Sequence, residues 1–236
     1  MAVFQVPSGS EYGNFLMRDG DAVGAHPNYV TVADLTLRKN ECLSGGAITA
    51  AYGEVAKSGA MGLRVVGNVF SASYDTNTMT GLLSIGNDAS RIYGNEFKDT
   101  GTTPPINNNH TIYVQVGSSD VDIGWNHLHD LRMGHLIQVQ TDTAFTYTNV
   151  RIHDNLLTAS ATSNSRGINI GNVQSGSNGG IYNNILSNLA IAMSPARRTW
   201  TGLAAFALFR SYPTALRSPP VAIALTSGTA CEDTSP

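Results

Sequence analysis

Charge is scarce in this chain. Asp, Glu, Lys and Arg make up 13% of its 236 residues, about half of the roughly 25% usual for globular domains. The formal net charge is -3 and the basic residues form no run, so the electrostatic footprint that nucleic acid requires is missing. Cysteine is nearly absent too. Cys42 and Cys231 are the two, too few for a disulfide framework and without the spacing of a metal knuckle; Cys42 is expected as a buried thiol, unpaired with Cys231. No apolar stretch approaches the roughly 18 residues of a membrane-spanning helix, and "MAVFQVPSGSEYG" lacks the charged start and apolar run of a signal peptide. No membrane insertion is expected. That opening does not read as the natural beginning of a folded domain, which suggests flanking segments of a longer chain.

What is plentiful is Gly, at 24, and Asn, at 20, a balance that favours turn-rich β structure. The Asn recur. "RVVGNVFSAS" (64–73), "RIYGNEFKDT" (91–100), "DIGWNHLHDL" (122–131), "RIHDNLLTAS" (151–160) and "GIYNNILSNL" (180–189) are near-copies. Aligned on the amide they place Asn40, Asn68, Asn95, Asn126, Asn155 and Asn184 at spacings of 28, 27, 31, 29 and 29, a period that marks a solenoid. Three positions before each Asn stand Leu37, Val65, Ile92, Ile123, Ile152 and Ile181. Two positions after it stand Cys42, Phe70, Phe97, Leu128, Leu157 and Leu186. Both columns are expected to face inward. A second strand precedes the Asn strand in each unit, as in "HTIYVQVG" (110–117) and "GHLIQVQT" (134–141), alternating with the period of two that a half-buried strand shows. No unit carries a helical pattern, which disfavours helix-bearing solenoids and leaves an all-β coil of short strands and turns. In such a coil the repeated Asn is expected to take the left-handed turn conformation. Stacked at roughly 4.8 Å per turn, the amides bond one to the next as a ladder.

With these residues the sequence resembles the right-handed parallel β-helix superfamily, which includes pectate lyases, other polysaccharide lyases, polygalacturonases, alginate epimerases and phage tailspikes. The likeness is carried by about six coils, most clearly by "SSDVDIGWNHLHD" and "ASRIYGNEFKD". It implies an extracellular or cell-surface protein that binds or degrades a polysaccharide, and it implies calcium only through the many lyases that use it. The family hosts catalytic and purely adhesive members. The pectate lyase signatures, the Asp-Pro-His of the epimerases and the paired Asp of the polygalacturonases are absent from this chain, and Asp99, Asp120 and Asp122 are too scattered in sequence to define a calcium site.

The chain divides into a lead-in over 1–29, the parallel β-helix over 30–194 and a tail over 195–236. The tail holds none of the 20 Asn but five of the nine Pro. Two readings stand for it: a cap in which "TGLAAFALF" forms a short amphipathic helix over the last coil, or a segment whose coding frame has shifted.

Chemistry is sought on the outer face, column by column. On the strand before the Asn strand, Ser84, Gln115, Gln138 and Asn169, flanked by Tyr113 and Gln140, form an amide and aromatic line suited to sugar hydroxyls. A second column reads Arg64, Arg91, Asp122 and Arg151, with Tyr93, His153 and Tyr182 two positions on; stacked arginines suit the carboxylates of an acidic polysaccharide. The densest cluster is "WNHLHDLRMGH" (125–135), which gathers His127, His129, Asp130, Arg132 and His135, with His110 one coil earlier. A β-elimination lyase needs a base and a cation; His129 or His135 fits the first role and Arg132 the second. A hydrolase needs paired carboxylates, and Asp130 with Asp154 is the pair to consider. His and Arg outnumber carboxylate pairs, so the lyase expectation leads, against a noncatalytic carbohydrate-binding surface protein.

Overall fold

The computed structural model describes residues 2–5, 15–16, 28–38, 48–50, 61–74, 82–101, 110–131, 134–140, 145–159, 166–187, 189, 191–193 and 200–208. Cys42, Cys231, Asn40 and Arg132, singled out above, lie outside them. The strands in chain order are β1 (Ala2–Gln5), β2 (Phe15–Leu16), β3 (Thr31–Ala33), β4 (Leu35–Arg38), β5 (Ile48–Ala50), β6 (Arg64–Val66) and β7 (Val69–Tyr74). Then come β8 (Leu83–Ile85), β9 (Arg91–Tyr93), β10 (Glu96–Gly101), β11 (His110–Val114), β12 (Asp122–Gly124), β13 (His127–Leu131) and β14 (His135–Val139). Last are β15 (Val150–His153), β16 (Leu156–Ala159), β17 (Arg166–Ile170), β18 (Gly179–Ser187), β19 (Ile191–Met193) and β20 (Trp200–Leu208).

Every pairing among them is parallel, and each strand pairs with its counterpart one turn away, so the fold is an all-β parallel solenoid. Three ladders run along it. The first is β3-β6-β9-β12-β15-β18, the second β1-β4-β7-β10-β13-β16-β18, and the third β2-β5-β8-β11-β14-β17-β19. The nine-residue β18 serves both of the first two. The regular solenoid amounts to about four turns rather than six.

The inward columns are stacked as the alternation requires. Val32, Val65, Ile92, Ile123, Ile152 and Ile181 form one, and Leu37, Phe70, Phe97, Leu128, Leu157 and Leu186 another; all are buried. The Phe70 and Phe97 rings stack at 4.4 Å and 9°. Each such side chain contributes about 1.5–3 kcal/mol on leaving water, so the repeat supplies the core one layer at a time.

The ladder is present from Asn68 to Asn184. In each of the four steps the Oδ1 of one Asn accepts the Nδ2 of the preceding one at 2.9–3.1 Å and its backbone N–H at 3.0–3.1 Å. Each Nδ2 also donates to a main-chain carbonyl of the preceding turn, as Asn126 does to Ile92 O at 2.9 Å. Two expectations are corrected here. The first turn does not align on Asn40. Its ladder position is Leu35, whose N–H donates to Asn68 Oδ1 at 3.1 Å, and Leu37 pairs with Phe70 rather than Val65. The left-handed residue is also not the ladder Asn but the one before it: Asp34, Gly67, Gly94, Trp125, Asp154 and Asn183 all have φ between 52° and 66°. That residue turns the corner between the first and second ladders. The following side chain then enters the interior with its amide along the stack.

The tail also differs from expectation. Trp200–Leu208, which contains most of "TGLAAFALF", is a strand that pairs in parallel with β18 from Gly179↔Trp200 to Ser187↔Leu208, not a helix. No helix among the described residues is long and apolar enough to cross a membrane.

Candidate functional site

The third ladder carries the amide column. Register joins Ser84, Tyr113, Gln138 and Asn169, while Gln115 sits two positions beyond Tyr113, level with Gln140. Asn169 Nδ2 donates to Gln138 Oε1 at 3.1 Å and to Gln140 Oε1 at 3.3 Å. All but Gln140 are buried, Tyr113 at 4%, Gln115 at 4%, Gln138 at 5% and Asn169 at 8% exposure, so this column is a buried amide network and not an open groove. At its edge His110 stacks on His135 with ring centroids 5.1 Å apart. Burial, helped by the neighbouring His135, pushes the His110 pKa down to about 3.

Sequence proximity therefore misleads for His135. It lies on the third ladder, whereas His127, His129 and Asp130 lie on β13 of the second. There His129 is held at both nitrogens: Nδ1 meets Asp130 Oδ2 at 2.8 Å and Nε2 meets Glu96 Oε1 of the preceding turn at 3.0 Å. Burial lowers its pKa, but the hydrogen bonds to Asp130 and Glu96 outweigh that and the net shift is upward. His127 stacks on it at 4.2 Å, and burial together with the charge of His129 lowers the His127 pKa. Both ring nitrogens of His129 thus face carboxylates, which favours its protonated form. Asp130 and Asp154 do not form a carboxylate pair: Asp130 sits within β13 and binds His129, whereas Asp154 stands at a corner of the first ladder and binds His153.

The richest open face belongs to the first ladder, over β9, β12, β15 and β18. Register stacks Arg64, Arg91, Asp122 and Arg151 as one column and Tyr93, Gly124, His153 and Tyr182 as the next. Asp122, 6% exposed, accepts His153 Nε2 at 2.7 Å on one oxygen and pairs with Arg151 Nη2 at 2.8 Å on the other. Arg91 pairs with Asp120 at 2.8 Å and also donates to the Asp120 carbonyl; Arg151 approaches Asp120 at 3.8 Å. The Tyr93 phenol is pushed up by burial and by Asp122, to which it hydrogen-bonds. The other imidazole nitrogen of His153 meets Asp154 at 2.8 Å. Gly124 makes room for this ring, since a Cβ there would fall 2.6 Å from His153 Cε1. Tyr182 stacks flat on His153 at 5.0 Å and 4°.

Above this network stands Trp125, 58% exposed. Its edge contacts reach His153 at 4.7 Å and Tyr93 at 5.2 Å. It occupies the left-handed corner, with φ 56°, where neighbouring turns have Gly67, Gly94 and Asp154.

Of the expected site residues, then, Arg91 and Arg151 come together in one network. Tyr113, Gln138 and Asn169 share a buried column with Gln115 beside it, His129 and Asp130 pair elsewhere, and Arg132 is outside the described residues. Sequence reasoning missed Trp125, Asp120 and Glu96. One signal pointed to Trp125, a bulky aromatic where the other turns place Gly, Asp or Asn; Asp120 and Glu96 stand at positions with no repeated identity and carried none. Among the described residues no three His, Cys, Asp or Glu converge to hold a metal ion. Compared with protein-family models, with curated proteins and with solved structures, the chain finds no match.

Proposed function

We propose that this chain is a pectate-lyase-like parallel β-helix protein, acting outside the cell, that binds polysaccharide along the open face of the first ladder. One observation carries the reading: Trp125 is exposed at a strained corner, flanked by Tyr93 and His153 and by a connected row of Arg and Asp. Exposed aromatics with fixed polar neighbours suit a sugar ring, whose C–H face meets the negative π face while its hydroxyls bond at the rim. The test is equilibrium binding to a panel of neutral and uronate polysaccharides. Saturable binding by the wild-type chain that drops in Trp125→Ala supports the reading; binding unaffected by that change contradicts it.

A lyase-like cleavage of an acidic polysaccharide is the second reading, favoured by the stacked pair on β13. His127 is exposed and its pKa is lowered, which favours the neutral form a base needs, and it touches His129, whose raised pKa favours the cationic form, with Lys98 nearby on Glu96. This moves the base from His129 to His127 and makes His129 the cation that stabilises the developing carbanion. Unsaturated product formed by wild-type protein and lost in His127→Ala supports it; full activity in that variant rules it out.

A further inference from the structure

Resting on the polysaccharide-binding reading, we infer that the Trp125 face takes an uncharged pyranose rather than a uronate. The stacked arginines suggest an acidic ligand only while they are free. In the structure Arg91 is engaged by Asp120, and Arg151 by Asp122 and Asp120. Counting the adjacent Arg64, three guanidinium groups on this face meet three carboxylates, Asp120, Asp122 and Asp154. A uronate brought here gains no net attraction, and it must either displace a carboxylate from its guanidinium or lie against carboxylates already bound, which is unfavourable for like charges. An uncharged ring meets no such opposition. Its apolar face covers Trp125, and its hydroxyls donate to the outward edges of Asp154 and Asp120, whose side chains are 33% and 42% exposed, and accept from the guanidinium of Arg151, whose side chain is 37% exposed. The left-handed Trp125 fits this role. Gly serves the same corner at Gly67 and Gly94, so the fold does not require an indole there, and a strained bulky residue at such a position points towards function.

The experiment is calorimetric titration of the full chain with cellohexaose, mannohexaose and hexagalacturonate at about 0.15 M salt, where charge pairs at the surface are screened over roughly 8 Å. Three proteins are compared: wild type, Trp125→Gly and, as a control away from this face, Thr158→Ala. The expected result is at least tenfold tighter binding of one neutral hexasaccharide than of hexagalacturonate. That binding weakens at least tenfold in Trp125→Gly, with no fall in its melting temperature, and is unchanged in Thr158→Ala. Gly is the chosen replacement because it fits the corner, so lost binding cannot be ascribed to lost folding. Tighter binding of hexagalacturonate, still dependent on Trp125, overturns the neutral-ligand inference and leaves the binding reading in place. No binding of any of the three, or binding indifferent to Trp125→Gly, overturns both.

Discussion

At the scale of single residues, the solenoid places its unusual chemistry where a repeat position is broken. Trp125 stands where Gly, Asp or Asn stand in other turns. A left-handed backbone costs an L-residue with a bulky side chain roughly 1–2 kcal/mol. The edge contacts to His153 and Tyr93 return about 0.5–1.5 kcal/mol each at best, and a ring 58% exposed gains little from burial. The terms nearly cancel, so Trp125→Gly is expected to leave stability within about 1 kcal/mol of wild type in urea titrations; a loss above about 3 kcal/mol would show that the ring holds the fold together. The carboxylate–imidazole–carboxylate arrangement at His129 makes a pH prediction. Burial opposes its charge, but Asp130 and Glu96 raise its pKa overall, and the same bond, with Lys98, lowers that of Glu96 against burial. A raised imidazole contributes stability that is present below its unfolded pKa and lost as pH rises through the folded one. A lowered carboxylate contributes stability that is present above its unfolded pKa and lost as pH falls through the folded one. The pair therefore helps most between the ordinary carboxylate and imidazole ranges, roughly pH 4 to 6.5. Glu96→Gln should lower the His129 pKa in an NMR titration; an unchanged value would remove Glu96 from the account.

At the scale of elements, the Asn ladder is the link that fixes the corner between the first two ladders of strands. Its cost of removal depends on place. Replacing Asn126 takes away the acceptor of the buried Asn95 N–H and one of the three acceptors of Asn95 Nδ2, whereas replacing Asn68 takes away only the acceptor of the part-buried Leu35 N–H. Each buried donor left unsatisfied costs about 1–3 kcal/mol, so Asn126→Leu should destabilise more than Asn68→Leu in matched denaturant titrations, and equal losses would mean that the stacking is incidental. The ladder was legible in the sequence because Asn and its two apolar companions recur together. The first turn was not. Asn40 imitates the spacing, while the true position is filled by Leu35, 33 residues before Asn68, and only strand register reveals it. The left-handed residue was misplaced for a related reason: Asn is at once the residue that tolerates that conformation and the one that builds the ladder, and the sequence does not say which property is in use. Strand β20 escaped notice because an alternating Ala and Phe segment without a ladder Asn carries none of the marks on which the repeat was aligned.

At the scale of the whole molecule, stacking turns brings together residues about 30 positions apart and separates residues a few positions apart. Glu96 meets His129, and Asp122 meets His153, across 33 and 31 positions; His129 and His135, six apart, lie on different ladders. The candidate site was therefore legible as columns, since Arg91, Asp122 and Arg151 follow from the period, but not as a network, since the partners Asp120 and Glu96 occupy positions with no repeated identity. The open face differs from the buried amide column in the same way: alternation sends both outward, and only the folded chain shows that Tyr113 and Gln138 are covered while Trp125 is not. The claim that the Trp125 face is where polysaccharide binds has a direct readout, because the chain contains two tryptophans, Trp125 and Trp200, whose indole N–H signals can be followed separately by NMR. Titrating the protein with the hexasaccharides should shift the Trp125 indole signal in a saturable manner and leave that of Trp200 in place. A Trp125 signal unmoved at sugar concentrations that saturate binding would contradict the account.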